Sequence, residues 1–223
     1  MNYIRKVSAI IWKDALSEMR TREIVFSVLV FALLVLVIFN FAFGADDVAL
    51  NSIAPGILWV TFAFAGVLSL NRSFVQEKEN GCFEALTLCP VGRDAIYVGK
   101  MVSSLIFMII IEIITLPVYS FLFNLNVLSP EIIVITLLAT IGFAAVGTLF
   151  SALAVNTRVR EMVLPILFLP VIVPLLICAV NASGDALSGE SWGDLLSWLM
   201  LIIAYDVVFV VVSYLVFEHA LEE

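Results

Sequence analysis

Two carboxylic acids, Glu112 and Asp206, lie in the middle of long apolar runs of this 223-residue sequence. Neither run contains a Lys or Arg to pair with them. A charged side chain at the centre of a membrane helix costs about 2.5–3.5 kcal/mol or more. Each acid is therefore expected to be protonated, hydrogen-bonded to the other, or in contact with water. Two chemistries fit. The acids line a pathway or form a proton-sharing switch, or each bonds a hydroxyl or backbone group of a neighbouring helix, a contact often worth only about 0.6 kcal/mol. The other reactive residue types offer less. Cys82 and Cys89 sit in a polar stretch, Cys178 lies in an apolar run, and the lone histidine, His219, is close to the C-terminal end. There is no C-x-x-C pair, no C-x-x-C-H haem attachment signature and no cluster suited to a metal, so no metal or cofactor bound by this chain and no catalytic residue is expected.

The elements that must position these residues are membrane helices. The sequence is 63% hydrophobic and 13% charged, against about 45–50% and about 25% in soluble chains. The mean hydropathy is +1.14. A water-soluble enzyme, a disordered chain and a disulfide scaffold are all excluded by these values. The apolar runs are continuous rather than alternating, so helices are expected instead of a β-barrel. The expected fold is all-α, a single polytopic domain over residues 1–223. Its spans run approximately 24–43, 53–70, 101–123, 132–155, 162–180 and 195–217.

Loop charges orient the bundle. Every Lys and Arg falls on one side: Arg5, Lys6, Lys13, Arg20 and Arg22 before the first span, Arg72, Lys78, Arg93 and Lys100 between spans two and three, and Arg158 and Arg160 between spans four and five. The opposite loops hold only acids, Asp46, Asp47, Glu131, Asp185, Glu190 and Asp194. The positive-inside rule makes the basic side cytoplasmic, with both termini inside. The formal net charge of −8 resides in those outer loops and the two intramembrane acids, which leaves the inner side electrically balanced. No basic stripe remains to bind nucleic acid.

Residues 1–23 are too charged ahead of the first apolar run to be a signal peptide. Ile4, Val7, Ile11, Ala15 and Met19 share a helical face with Trp12 and Leu16, while Lys6, Lys13 and Arg20 lie opposite. That pattern predicts an interfacial helix on the inner leaflet, serving as a topology anchor or as an elbow beside a cytoplasmic partner. The stretch 71–100 is long for a connection. Its apolar residues Phe83 to Leu88 predict a short helix between Gly81 and Pro90, either docking into another protein or covering the inner end of the bundle. Pro165, Pro170 and Pro174 each remove a hydrogen bond from the fifth span, which is expected to carry a fixed bend. Gly142, Ala145, Gly147 and Ser151 predict close helix packing along the fourth, within the chain rather than at a dimer seam.

Two strings carry a resemblance. Glu77-x3-Gly81-x2-Glu84-x-Leu86-x3-Pro90, followed by Lys100 at a span start, resembles the cytoplasmic loop of ABC-2-type exporter permeases. Ala54-Pro55-Gly56-Ile57-Leu58-Trp59-Val60 with Arg72 and Phe74, and the span containing Pro165, Pro170 and Pro174, resembles the CcmB family. That family is the permease subunit of the ABC transporter of cytochrome c maturation. The resemblance implies a bacterial inner-membrane half-transporter. It would work with a CcmA-like ATPase, as two copies of each, beside CcmC-like and CcmD-like membrane proteins and the periplasmic haem chaperone CcmE. It also implies that Glu77, Gly81, Glu84, Leu86 and Pro90 form the ATPase-coupling loop, and that haem is the transported substrate. No G-x4-G-K-[ST] loop occurs in these residues, so ATP hydrolysis is expected on a separate chain, and this chain is expected not to be an enzyme. Two other functions stay open here: a force-transmitting scaffold that releases haem-loaded chaperone without moving haem, and an ABC-2 permease for another amphiphile.

Overall fold

The computed structural model describes residues 3–21, 23–43, 47–79, 92–155 and 160–220. Among them the chain forms α1 (Tyr3–Thr21), α2 (Glu23–Phe43), α3 (Asp47–Glu79), α4 (Arg93–Phe123), α5 (Pro130–Val155), α6 (Arg160–Leu187) and α7 (Trp192–Ala220). The last six are each long and apolar enough to cross a membrane. Their arrangement is that of an all-α polytopic membrane protein.

α5 is the hub. It packs against α6, α7, α4 and α3, while α2 lies outside α3 and α4. Small side chains make this possible. A Cβ on Gly142 would strike Asp206 and Tyr205 of α7 and Leu175 of α6, and one on Gly147 would strike Leu70 of α3. The small-residue surface expected on this span therefore packs within the chain. The outward faces are apolar instead of polar: Phe26, Phe41, Phe121 and Val207 are all exposed. Such a surface suits hydrocarbon, where the backbone groups are satisfied within each helix.

Two boundaries differ from the expectation. The segment 71–100 is not mainly loop, because α3 continues to Glu79 and α4 begins at Arg93. Hydropathy ends at Leu70, but helical hydrogen bonding continues through the polar residues beyond it. At 33 and 31 residues, α3 and α4 are about 50 and 46 Å long, well beyond a ~30 Å hydrocarbon core. The fifth span also reaches further, to Leu187, since Ala182 and Ser183 are buried against the bundle. α6 remains helical through Pro165, Pro170 and Pro174.

Short ties fix the acidic end. Asn124 closes α4 in a left-handed conformation (φ 52°), with its N–H donating to the Ser120 carbonyl. Trp198 Nε1 donates to Asp185 Oδ2 at 2.8 Å, joining α7 to α6.

Candidate functional site

At the acidic end, the run Ala54–Val60 falls in the first half of α3, with Ala54, Pro55, Ile57, Leu58 and Trp59 buried. Pro55 is tolerated inside this helix and packs 3.7 Å from where a Cβ of Gly184 on α6 would stand. Trp59 Nε1 donates to Ser183 Oγ at 2.9 Å, and Tyr119 Oη on α4 donates to the Ala54 carbonyl at 2.7 Å. Phe62 meets Trp59 edge-on. A buried indole N–H needs an acceptor, and Ser183, in a short stretch of small residues, supplies it. The motif thus locks three helices together at one end. Gly56 sits in the same turn, with open space beside it.

At mid-bundle the two intramembrane acids are buried but not joined. Glu112 on α4 faces Thr140 on α5, with Thr140 Oγ1 2.5 Å from Glu112 Oε1 and 2.8 Å from the Thr136 carbonyl. One hydroxyl proton cannot serve both acceptors. The arrangement is complete when the Glu112 carboxyl carries a proton and donates to Thr140, which in turn donates to Thr136. A void of about 10 Å³ beside Glu112, bordered by Phe62, Gly66 and Met108, is close to the space one water needs. Asp206 on α7 lies against Gly142, and its Oδ1 is buried with no hydrogen-bond partner. Glu112 and Asp206 therefore meet α5 separately, and of the alternatives for them a mutual hydrogen bond is the one this geometry removes.

At the basic end the sequence reading missed the principal contact. Lys100 is almost fully buried, and its Nζ lies 3.0 Å from Asp14 Oδ2 and 3.2 Å from Asp14 Oδ1. Lys13 approaches the same carboxylate at 3.1 Å. Burial pushes the Asp14 carboxyl up, but Lys100 and Lys13 pull it further down, to a net position below its ordinary value of 3.8. Gly99 allows the approach, because a Cβ there would collide with Ile10 of α1. Tyr97, Phe217 and Ile10 complete this joint. The face of α1 that meets α4 is thus the Ile10–Asp14 stripe. It is not the stripe of Ile4, Trp12 and Leu16, which remain exposed. A clue was present in Lys100 itself, a lone cation at the start of an apolar run that needs a carboxylate from elsewhere.

The elbow between α1 and α2 is tied by Glu18, whose Oε1 accepts the Val25 N–H at 3.0 Å. Burial holds the Glu18 carboxyl above its ordinary value, offset in part by that hydrogen bond.

Of the residues singled out for coupling, Gly81, Glu84, Leu86 and Pro90 lie outside the described residues, as does the short helix expected at Phe83–Leu88. Glu77 and Arg72 fall on the polar C-terminal extension of α3, and Pro165 on α6, with their side chains outside the description. Pro55 and Trp59 are in the cluster at the acidic end, and Pro170 and Pro174 are on α6. No group of His, Cys, Asp and Glu suited to a metal occurs among the described residues.

Comparison with known proteins adds a sequence-wide match. A family model described as CcmB protein matches residues 5–223. The chain is 29% identical to Heme exporter protein B of Bradyrhizobium diazoefficiens, over 82% of this chain and 83% of that protein. It is 27% identical to Heme exporter protein B of Pseudomonas aeruginosa, over 77% of each. A third relative, Heme exporter protein B of Rhodobacter capsulatus, is 32% identical over 67% of this chain and 69% of its own length.

Proposed function

This chain belongs to the CcmB family, and on that premise we propose that it is the membrane permease subunit of an ABC transporter for cytochrome c maturation. It couples ATP hydrolysis on a separate, CcmA-like chain to haem export, or to haem delivery to a CcmE-like periplasmic chaperone. CcmC-like and CcmD-like proteins work beside it, and two copies of this chain serve each complex. The membrane is the bacterial inner membrane, with both termini cytoplasmic. The observation that carries this reading is the family match over residues 5–223, joined to relatives named Heme exporter protein B across most of the chain.

The architecture gives the proposal a mechanical form. The inner ends of α3 and α4 flank residues 80–91, and α4 carries the joint to α1 at Lys100 within two turns of its start. Force applied at Glu77, Gly81, Glu84, Leu86 and Pro90 by an ATPase therefore enters two long helices. It passes along α3 to the Trp59–Ser183 cluster and along α4 to Glu112 and α5. Helices bonded in this way move as rigid rods, which is the kind of element a coupling mechanism requires.

A second reading, a scaffold that releases loaded chaperone without passing haem, is favoured by one observation. Glu112 and Asp206 each face a neighbouring helix of the same chain, Glu112 against Thr140 and Asp206 against Gly142. Reconstituted subunits loaded with haem separate the two readings, since ATP-dependent haem movement into vesicles is expected for the exporter and not for the scaffold. The shared premise is tested by Glu84→Lys. This variant should insert normally yet weaken co-purification of the ATPase, or uncouple its hydrolysis, and lower holo-cytochrome c. Normal assembly and normal maturation in this variant would remove residues 77–90 as the coupling element.

A further inference from the structure

A cavity of about 460 Å³ lies where α1, α2 and α4 diverge at the basic end of the bundle. Its size falls in the range of about 300–1,000 Å³ usual for small-molecule sites. α1 is held to α4 by the Lys100–Asp14 pair and to α2 chiefly through Glu18 at the elbow, so the helices part between these two ties. The cavity is polar at one end and apolar at the other. Asp14, Glu18 and the hydroxyl of Ser103 line the first, and Leu29, Ile106 and Ile110 line the second. From Ser103 to Ile110 the wall descends about 10 Å along α4. Phe26, Ile106 and Ile110 are themselves exposed on the outward face, so the cavity opens sideways toward lipid.

We propose that this cavity holds one phospholipid of the adjoining leaflet whose head group ends in a primary ammonium, as in phosphatidylethanolamine. One acyl chain lies along Leu29 and Ile110, and the ammonium meets the second carboxylate oxygen of Glu18. The charge of the wall selects the head group. Among the described residues that line it, the ionisable ones are Asp14 and Glu18. The ammonium groups of Lys13 and Lys100 are directed to the Asp14 carboxylate. Glu18 uses one oxygen for the Val25 N–H and offers the other. A primary ammonium brings three donors and a positive charge to this acceptor, and charge-assisted bonds of this kind are the strong ones. Choline brings charge without an N–H donor, and a glycerol head group brings the lipid's net negative charge to the Glu18 carboxylate. The polar-to-apolar gradient runs in the direction that a lipid standing in a leaflet requires.

The test uses the purified full-length chain in detergent, titrated with dioleoyl phosphatidylethanolamine, phosphatidylcholine or phosphatidylglycerol and read by native mass spectrometry. One phosphatidylethanolamine should be retained at a concentration about tenfold lower than either other lipid, as expected for one or two charge-assisted bonds. Glu18→Gln should keep lipid binding but reduce that preference to within about threefold. Ser104→Phe, which puts a ring into the cavity, should weaken retention of all three, with a thermal melt verifying that the variant is folded. Equal retention of the three lipids by the parent chain overturns the proposal without reference to any variant. Undiminished retention by folded Ser104→Phe overturns it as well. So does finding the cavity filled by a segment of a partner subunit, with lipid excluded, when the chain is purified together with its partners.

Discussion

Replacing Asp14 by Asn should release α1 from α4, and the size of the effect follows from the burial of Lys100. The Lys100 side chain is 2% exposed and that of Asp14 14%, with two N–O distances of 3.0 and 3.2 Å. Removing one partner from a buried ion pair costs about 3–5 kcal/mol, because the remaining charge keeps its desolvation penalty. At about 1.4 kcal/mol per factor of ten, the undocked population of α1 should rise by roughly two to three and a half powers of ten. Lys100→Met should do less, about 1–3 kcal/mol, since Asp14 keeps Lys13, which is 38% exposed and reaches water. The double variant Asp14→Asn with Lys100→Met should recover much of the loss, as replacing both members of a buried pair often does. Trypsin can read this directly, because Lys13 and Arg20 lie on α1 and slow cleavage tracks the open population when closing is fast. An Asp14→Asn chain cleaved within about threefold of the parent rate, or a double variant showing the full sum of both single effects, would refute the claim that this pair holds the joint.

The same pair sets a pH dependence. A carboxyl held below its ordinary value stabilises the joint fully above 3.8 and loses that contribution as pH falls below it. Trypsin resistance, probed with an acid-tolerant protease at the low end, should therefore be flat from pH 8 to about 5 and collapse only below about 4. Glu112→Gln should change stability by less than about 1 kcal/mol, because the amide can donate to Thr140 as a protonated acid does. Holo-cytochrome c yield at matched subunit levels then separates the readings for Glu112→Gln and Asp206→Asn: normal yield marks structural groups, and reduced yield with intact assembly marks a working switch. A reporter active only outside the cytoplasm should be silent when fused at Glu223 and active at Ser188, and the reverse would overturn the orientation.

What was legible in the sequence was whatever depended on neighbouring residues. Six apolar runs announce six crossing helices because a helix satisfies its own backbone and the bilayer admits little else. The polar ends of α3 and α4 escaped the same logic, since Asn71–Glu79 and Arg93–Lys100 remain helical for reasons of hydrogen bonding that hydropathy does not measure. Long-range partners escaped it too. Asp14 and Lys100 are 86 residues apart, Glu112 and Thr140 28, and Trp59 and Ser183 124. Charge and burial reveal that Lys100, Glu112 and Trp59 each require a polar partner, while the packing of α5, α1 and α6 decides which one. The face of α1 that packs on α4 was missed for a related reason. The helix has an exposed apolar side, with Trp12 and Leu16, and a second side that meets α4 through a charge, and hydrophobic periodicity finds only the first.

The position of α5 at the hub bears on how the chain is made. Ribosomes add about 5–20 residues per second, and Thr140 lies 28 residues beyond Glu112, so the acid leaves the ribosome a few seconds ahead of its partner. During that interval α2, α3 and α4 exist without the helix on which α3 and α4 both pack. Glu112 then has only lipid, water or the insertion machinery for company. The later arrival of Gly142 and Gly147 closes the bundle around α5, and α7 must bring Asp206 to a groove already formed. Nascent chains halted before α5 should consequently be prime substrates for membrane chaperones and quality-control proteases, and those halted after α7 should escape them.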